Sequence, residues 1–246
     1  MSPDPVNFAI VIPLANEAED FQALIRAVTE VLNRLSSGQV YLVVDRASKD
    51  NTLGLCQRLS DQDPRFITIY EPLNRHVVDA YLRGYRAACE QGHEFIVEMD
   101  AGLSHDPAAL PLFLEAYRKG YDCVFGSRFM KGGSMSDSGL KRKTLSLTGT
   151  WLSNVLLGTR LRDMTSGYQG FKHDVVKAIL DHGLRSTGHF YQTEVRYLLR
   201  YKKQLEVPIH YKAPSPRVSA GSIRNSVHLL FYYFYKRIRR QAAVIP

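Results

Sequence analysis

The stretch from Phe95 to Pro107 constrains the fold more than any other. Phe95-Ile96-Val97-Glu98-Met99 ends abruptly in Asp100, which is followed by a small Ala101-Gly102 pair and then by Ser104, His105 and Asp106 ahead of Pro107. The run reads as a buried strand that delivers Asp100 to its carboxyl end, followed by a tight loop and a helix starting near Pro107, where proline suits the first turn. Ligands of open α/β sheets bind in the crevice outside the carboxyl ends of the strands. A carboxylate there can hold a divalent cation and, through it, a diphosphate. Asp100 and Asp106 could also simply cap the following helix; that role suits Asp106, and the functional one suits Asp100.

The same pattern recurs along the chain. Phe8–Pro13 is apolar on both faces and is followed by Asn16-Glu17, and a helical period with Phe21, Leu24, Ile25, Val28, Val31 and Leu32 runs from about Glu17 to Leu35. Val40–Val44 is a second buried run ending in Asp45, with a turn from Ser48 to Thr52 in which Asp50 or Asn51 could cap the next helix. Further strands are expected at Phe66–Tyr70 and Cys123–Phe125, the latter ending in Gly126-Ser127-Arg128, with a helix from Val77 to Gln91. Alternation at this spacing predicts an α/β fold with a mostly parallel central sheet and helices on both faces. Asn16, Asp45, Asp100 and Arg128 then share one rim of that sheet, a convergence that isolated helix caps would not produce.

Beyond Arg128 the pattern changes. The Gly- and Ser-rich Met130–Gly139 segment reads as a loop over the site or as a linker. Leu140–Leu157 is expected to be helical. Asp163–Phe171 has neither helical nor strand periodicity, helices follow near Asp174–His182 and after Thr187–Glu194, and Leu205–Tyr211 is extended, with Pro208 arguing for a sheet edge.

Composition narrows the function. The chain carries 45% hydrophobic residues, enough for a real core, and a formal charge of +8, which favours anionic ligands or an anionic membrane surface. No zinc-finger, RNP or basic-zipper pattern accompanies the basic clusters, so nucleic acid is not expected as a partner. Cys56, Cys89 and Cys123 are odd in number and lack metal-ligand spacing, which suits a reducing cytoplasm. The N-terminus shows no secretory pattern and no run is long enough to span a bilayer, so a cytoplasmic protein, or one peripheral to the cytoplasmic face of a membrane, is expected.

Six ordered motifs carry a family resemblance over about Ala9 to Ser222: Val11-Ile12-Pro13-Leu14-Ala15-Asn16-Glu17, Val43–Thr52, Glu98–Pro107, Gly126-Ser127-Arg128, Asp163–Tyr168 and Glu206–Ile209. Together they resemble the family-two inverting glycosyltransferases with the GT-A fold, and most of all the polyprenyl-phosphate sugar synthases of the dolichyl-phosphate mannose synthase type. The resemblance implies a domain over residues 1–222, with 223–246 as a separate basic aromatic helix. It implies transfer of mannose or glucose from a nucleotide sugar, GDP-mannose in preference to UDP-glucose, to a polyprenyl phosphate. Pro13, Ala15, Asn16, Glu17, Asp45 and Asp50 would surround the nucleotide. Asp100, and less directly Ser104, would hold Mg2+ or Mn2+. Ser127 and Arg128 would meet phosphate, Asp163, Thr165 and Ser166 would shape the acceptor side, and Arg217 would close on the phosphates. Asp100, Arg128 and Asp163 would be the catalytic set.

Three positions depart from the family pattern. Gly102 stands where a second metal-binding aspartate is usual, Arg46 replaces an acid, and Asn74–Ala80 lacks the usual glycines. A cation should therefore be weakly held. Two accounts remain: a working transferase in which Arg46, Arg128 and Arg217 compensate, or a catalytically impaired nucleotide-sugar-binding or membrane-associated module of the same fold. The segment Ser226–Arg240 joins aromatic residues to a basic cluster. It suits a helix lying in the lipid headgroup region or one packed on the domain.

Overall fold

The computed structural model of the protein describes residues 5–35, 37–135, 139–212, 220–241 and 244–245. Its strands are β1 (Phe8–Leu14), β2 (Gln39–Asp45), β3 (Phe66–Glu71), β4 (Phe95–Glu98), β5 (Cys123–Ser127), β6 (Gln169–Lys172) and β7 (Gln204–Pro208). They form one seven-stranded sheet in the order β3-β2-β1-β4-β6-β5-β7. β1 to β4 pair in parallel, as do β5 and β7, while β6 runs antiparallel to both of its neighbours. The helices are α1 (Phe21–Leu32), α2 (Thr52–Gln62), α3 (Val77–Glu90), α4 (Leu110–Arg118), α5 (Leu140–Leu157), α6 (His173–His182), α7 (Tyr191–Leu198) and α8 (Ala220–Ile238).

β1, β2 and β4 are buried on both faces, as the interior strands of a sheet covered on each side must be. One face packs on α1 and α4 through residues such as Ile10, Ile12, Leu24, Val28 and Phe113. The other packs on α3, α6, α7 and α8 through Val11, Val43, Tyr81, Val176, Leu198 and Tyr233. α3 lies so close to the sheet that a Cβ at Gly84 would sit 2.3 Å from a Val11 methyl. Only glycine permits that approach.

Two expectations are corrected. The first helix begins at Phe21 rather than Glu17, because residues 15–20 form the loop at the sheet rim. The segment read as lacking periodicity supplies β6, which inserts between β4 and β5. Gly170 leaves room there for the Phe95 ring, 2.6 Å from where a Cβ would be, so the strand shows no apolar alternation. β7 lies at the sheet edge and ends at Pro208, where the missing N–H costs no ladder bond.

α8 is anchored to the domain. Leu229, Leu230 and Tyr233 are buried, and the Tyr233 hydroxyl donates to buried Glu194 at 2.5 Å. Arg237 Nη1 donates to the Val155 and Leu156 carbonyls at 3.2 and 2.8 Å, a cation at the carboxyl end of α5. Gly158, at φ 71°, turns the chain out of α5 beneath that guanidinium. On α8, Ile223, Val227, Phe231, Tyr235 and Ile238 are exposed, and on α5 so are Leu145, Trp151 and Val155. No helix among the described residues is long and apolar enough to cross a membrane.

Candidate active site

The rim at the carboxyl ends of β1, β2, β4 and β5 gathers the residues singled out in the sequence. Pro13 is part of β1, opposite Val43, and Ala15 follows the strand, half-buried. Asn16, in the left-handed region at φ 60° that asparagine tolerates, ties the first rim loop to the second. Its Nδ2 donates to the Ala47 carbonyl at 3.2 Å, and its Oδ1 accepts from the Lys49 N–H at 2.8 Å. The Glu17 N–H donates to Thr52 Oγ1 and the Ala18 N–H to Asp50 Oδ2. Asp50 also accepts from the Thr52 hydroxyl, the Thr52 N–H and the Ser48 hydroxyl, bonds that hold its carboxyl down at about 2. Asp45 accepts from the Ala47 N–H at 2.7 Å. Asn16 and Asp50 thus spend their side chains building the rim. Burial, together with Asp20, Asp100 and Asp50, raises the Glu17 carboxyl, so Glu17 feels the same acidic corner as Asp100.

At the end of β4, Asp100 Oδ1 accepts from the Tyr81 hydroxyl at 2.9 Å and Oδ2 lies 3.4 Å from Ser104 Oγ. His105 is buried, and its Nδ1 accepts from the Asp100 N–H at 3.1 Å, so the neutral ring carries its proton on Nε2, 3.7 Å from Asp100 Oδ2. Burial disfavours the charged ring, as do Arg128 and Arg196, outweighing Asp100 and Asp163. Sequence reading placed His105 in the loop without assigning it a role; the Ser104-His105 pair after the strand was the available signal. Asp106 caps the turn at Pro107–Ala109, accepting from the Ala108 N–H at 3.0 Å, and pairs with Lys212.

Arg128 and Asp163, 35 residues apart, form a single buried unit. Arg128 Nε and Nη2 donate to the two Asp163 oxygens at 2.7 and 2.8 Å, and its backbone N–H donates to Oδ2 at 3.1 Å. Nη2 also donates to Thr165 Oγ1 at 2.6 Å. Burial would raise the Asp163 carboxyl, but the Arg128 charge and hydrogen bonds outweigh it, so the group stays below the usual carboxylate range. Asp163 is enclosed completely, whereas Arg128 still lines a cavity. Ser166 is buried and its hydroxyl accepts from the Tyr168 N–H, while buried Ser127 Oγ has no partner among the described residues. Arg217 lies outside the described residues.

The cavity, of about 350 Å³, has two different ends. Asp100, His105, Arg128, Thr165 and His189 line one, and Leu145, Leu152, Ile223, Val227 and Leu230 of α5 and α8 line the other. Arg142, from α5, brings a second guanidinium to the polar end, donating to the Tyr211 hydroxyl at 3.0 Å. No recognisable sequence signal marked this cavity, because its walls come from elements on both sides of the sheet rim.

The donor set for a divalent cation is thin. Asp100 is the partly exposed carboxylate just beyond β4, Glu98 at the end of the strand being fully buried, and no group of three potential ligands occurs among the described residues. A Cβ at Gly102 would meet nothing within 4 Å, so the place of a second carboxylate is open space. One carboxylate fits a cation shared with a diphosphate, the usual arrangement for Mg2+ at phosphate sites, rather than one caged by protein alone.

The comparisons agree with this architecture. Residues 9–180 match the model of glycosyl transferase family 2, and the chain belongs to that family. It is a glycosyltransferase of GT-A fold. It is 32% identical over 222 residues to an undecaprenyl-phosphate mannosyltransferase of Micrococcus luteus, covering 88% of this chain and 89% of that protein. It is 30% identical over 225 residues to a polyprenol monophosphomannose synthase of Mycolicibacterium smegmatis, covering 90% and 83%. The dolichol-phosphate mannosyltransferase of Pyrococcus furiosus is 30% identical over 82% of this chain but 56% of its own length. Among solved structures, glucosyl-3-phosphoglycerate synthase from Mycobacterium tuberculosis shares the fold. Its UDP complex superposes with a TM-score of 0.66 at 13% identity, over 92% of this chain and 79% of that one, and the enzyme has also been solved with Mn2+ and with Mg2+.

Proposed function

We propose that the chain transfers mannose from GDP-mannose to a polyprenyl phosphate, with inversion at the anomeric carbon, at an anionic membrane surface. The observation that carries this reading is the two-ended cavity. Its polar end, with Arg128, His105 and His189, suits a phosphate, and its apolar end between α5 and α8 suits an isoprenoid chain. The named relatives act on undecaprenyl, polyprenol and dolichol phosphates, and they support the same acceptor class.

An acceptor phosphate oxygen is anionic at neutral pH and attacks the anomeric carbon directly, so no strong general base is required. A new carbon–oxygen bond forms on one face of the sugar as the bond to the diphosphate breaks on the other, and the bonding pair leaves with the nucleoside diphosphate. Asp163 holds Arg128 through Nε and Nη2, leaving Nη1 to meet phosphate at the cavity wall. His105 offers its Nε2–H beside Asp100. Asp45, with the loop built by Asn16 and Asp50, would face the nucleoside, together with Pro13, Ala15 and Glu17. Asp100 and, at longer range, Ser104 would hold a divalent cation, which when bound neutralises charge on the departing diphosphate.

The exposed apolar stripes of α5 and α8, flanked by Lys141, Lys143, Lys236, Arg239 and Arg240, suit peripheral attachment at the cytoplasmic face of a membrane, beside the cavity's apolar mouth. The test is transfer of labelled sugar from GDP-mannose or UDP-glucose to a short-chain polyprenyl phosphate. Organic-extractable product from GDP-mannose alone supports the full reading, and product from UDP-glucose alone would overturn the donor. The absence of lipid-linked product with both donors would overturn the transferase reading and favour a module that only binds.

A further inference from the structure

Asp100 is held more firmly than a lone exposed carboxylate at a strand end needs to be. Its side chain is 35% exposed, yet both of its oxygens and its backbone N–H have neighbours fixed by other elements. Tyr81, buried one turn into α3, donates to Oδ1 at 2.9 Å. The Tyr81 ring packs on that of Tyr191 at 5.2 Å, and the Tyr191 hydroxyl donates to Glu98 at 3.0 Å. Glu98, two residues before Asp100 on β4, is fully buried and also accepts from Gln169 and Tyr85. On the other side, His105 is fixed by stacking on Tyr168 at 5.2 Å and holds the Asp100 backbone. Nδ1 takes the backbone N–H, and Nε2 lies 3.7 Å from Oδ2. Gly167 closes the pocket wall, its Cβ position lying 3.3 Å from His105 Cε1 and 3.4 Å from Asp100 Oδ1.

Oδ1 takes the buried Tyr81 hydroxyl at 2.9 Å, whereas Oδ2 accepts only the longer 3.4 Å bond from Ser104 among the described residues and is the oxygen more open to a ligand. We propose that Tyr81 and His105 are positioning residues that lock Asp100 with Oδ2 presented to a nucleotide-bound divalent cation, offsetting the missing carboxylate at Gly102. The inference rests on the donor-site reading given above. Partners behind a metal ligand change metal affinity about 10–100-fold when removed, because an oriented ligand loses less freedom on coordination. With one carboxylate instead of two, that preorganisation carries a larger share of the affinity.

The experiment is a manganese titration followed by electron paramagnetic resonance in the presence of GDP, paired with calorimetric GDP binding without metal. Tyr81→Phe removes only the hydroxyl from a buried ring. It should weaken Mn2+ binding about tenfold or more while leaving metal-free GDP affinity within about twofold. His105→Ala removes the acceptor of the Asp100 N–H and should lose similarly, whereas His105→Asn keeps an acceptor near the Nδ1 position and should recover part of the loss. Adding Gly102→Asp to Tyr81→Phe should restore Mn2+ binding. A general folding defect would lower metal-free GDP binding as well and would not be rescued at position 102. Mn2+ affinity in Tyr81→Phe equal to that of the unchanged chain, with GDP still bound, overturns this inference alone. Failure of the unchanged chain to bind GDP, with or without manganese, overturns the donor-site reading and this inference with it.

Discussion

Replacing Asp163 by asparagine separates the buried unit behind the cavity from an ordinary surface ion pair. Asp163 accepts five hydrogen bonds, from Arg128 N, Nε and Nη2 and from Thr165 N and Oγ1. Asparagine keeps the volume but offers one acceptor oxygen, and its amide group must face donors of Arg128 or Thr165. The Arg128 side chain is 5% exposed, so its charge is left with little solvent and without its counter-ion. Removing one partner of a buried pair costs about 3–5 kcal/mol. At roughly 2 cal/mol/K per residue, the unfolding entropy of 246 residues is about 0.5 kcal/mol/K, so the midpoint should fall by about 6–10 °C. Thermal and urea unfolding of the two proteins measure this directly, and the double variant Arg128→Met with Asp163→Leu should recover much of the loss. Because the Asp163 carboxyl is depressed in the folded state, its contribution is complete above the unfolded value of about 4 and is lost only as the pH falls through the lower folded value. A midpoint for Asp163→Asn within about 2 °C of the unchanged chain would refute the reasoning.

Three further outcomes are expected. Gly102→Asp enters open space, so it should leave stability within about 0.5 kcal/mol while raising Mn2+ affinity in the presence of GDP by tenfold or more, read by the same titration. Burial raises the Glu98 carboxyl to about 7, against hydrogen bonds from Gln169, Tyr85 and Tyr191, so its neutral form favours the fold. That contribution is full below the unfolded value of about 4.5 and is lost as the pH rises to 7, a change of about 3 kcal/mol which Glu98→Gln should flatten in urea unfolding between pH 5 and 7. Trp151 and Phe231 are 64% and 55% exposed, so Trp151→Asp and Phe231→Asp should leave the melting temperature almost unchanged but reduce sedimentation with vesicles containing phosphatidylserine; equal sedimentation would argue against the membrane face.

How much of this was legible in the sequence follows from the range of each interaction. β1, β2, β4 and β5 were readable because buried strands are continuous apolar runs, and β3, at the sheet edge, from its β-branched and aromatic residues; the polar residues ending the buried runs had to share a rim. Pro208 marked an edge strand for an equally local reason. β6 was not readable. Its four residues, Gln169-Gly170-Phe171-Lys172, owe their extended form to two neighbouring strands rather than to their own pattern, and Gly170 is there to admit the Phe95 ring. Arg128 and Asp163 were each singled out as separate groups facing substrate, and no local signal joins residues so far apart into one ion pair.

By itself the sequence determined the α/β alternation, the family and the rim on which Asn16, Asp45, Asp100 and Arg128 stand, because these follow from periodicity and from motifs that act over a few residues. Tertiary structure decided which of these groups remain available to a substrate. It spent Asn16 and Asp50 on the loops, enclosed Asp163 behind Arg128, and brought Tyr81 and His105 onto Asp100. It also set α8 along α5, so that one cavity runs from charged to apolar walls. Those outcomes depend on which helix covers which strand, a matter of packing that no short stretch of chain encodes.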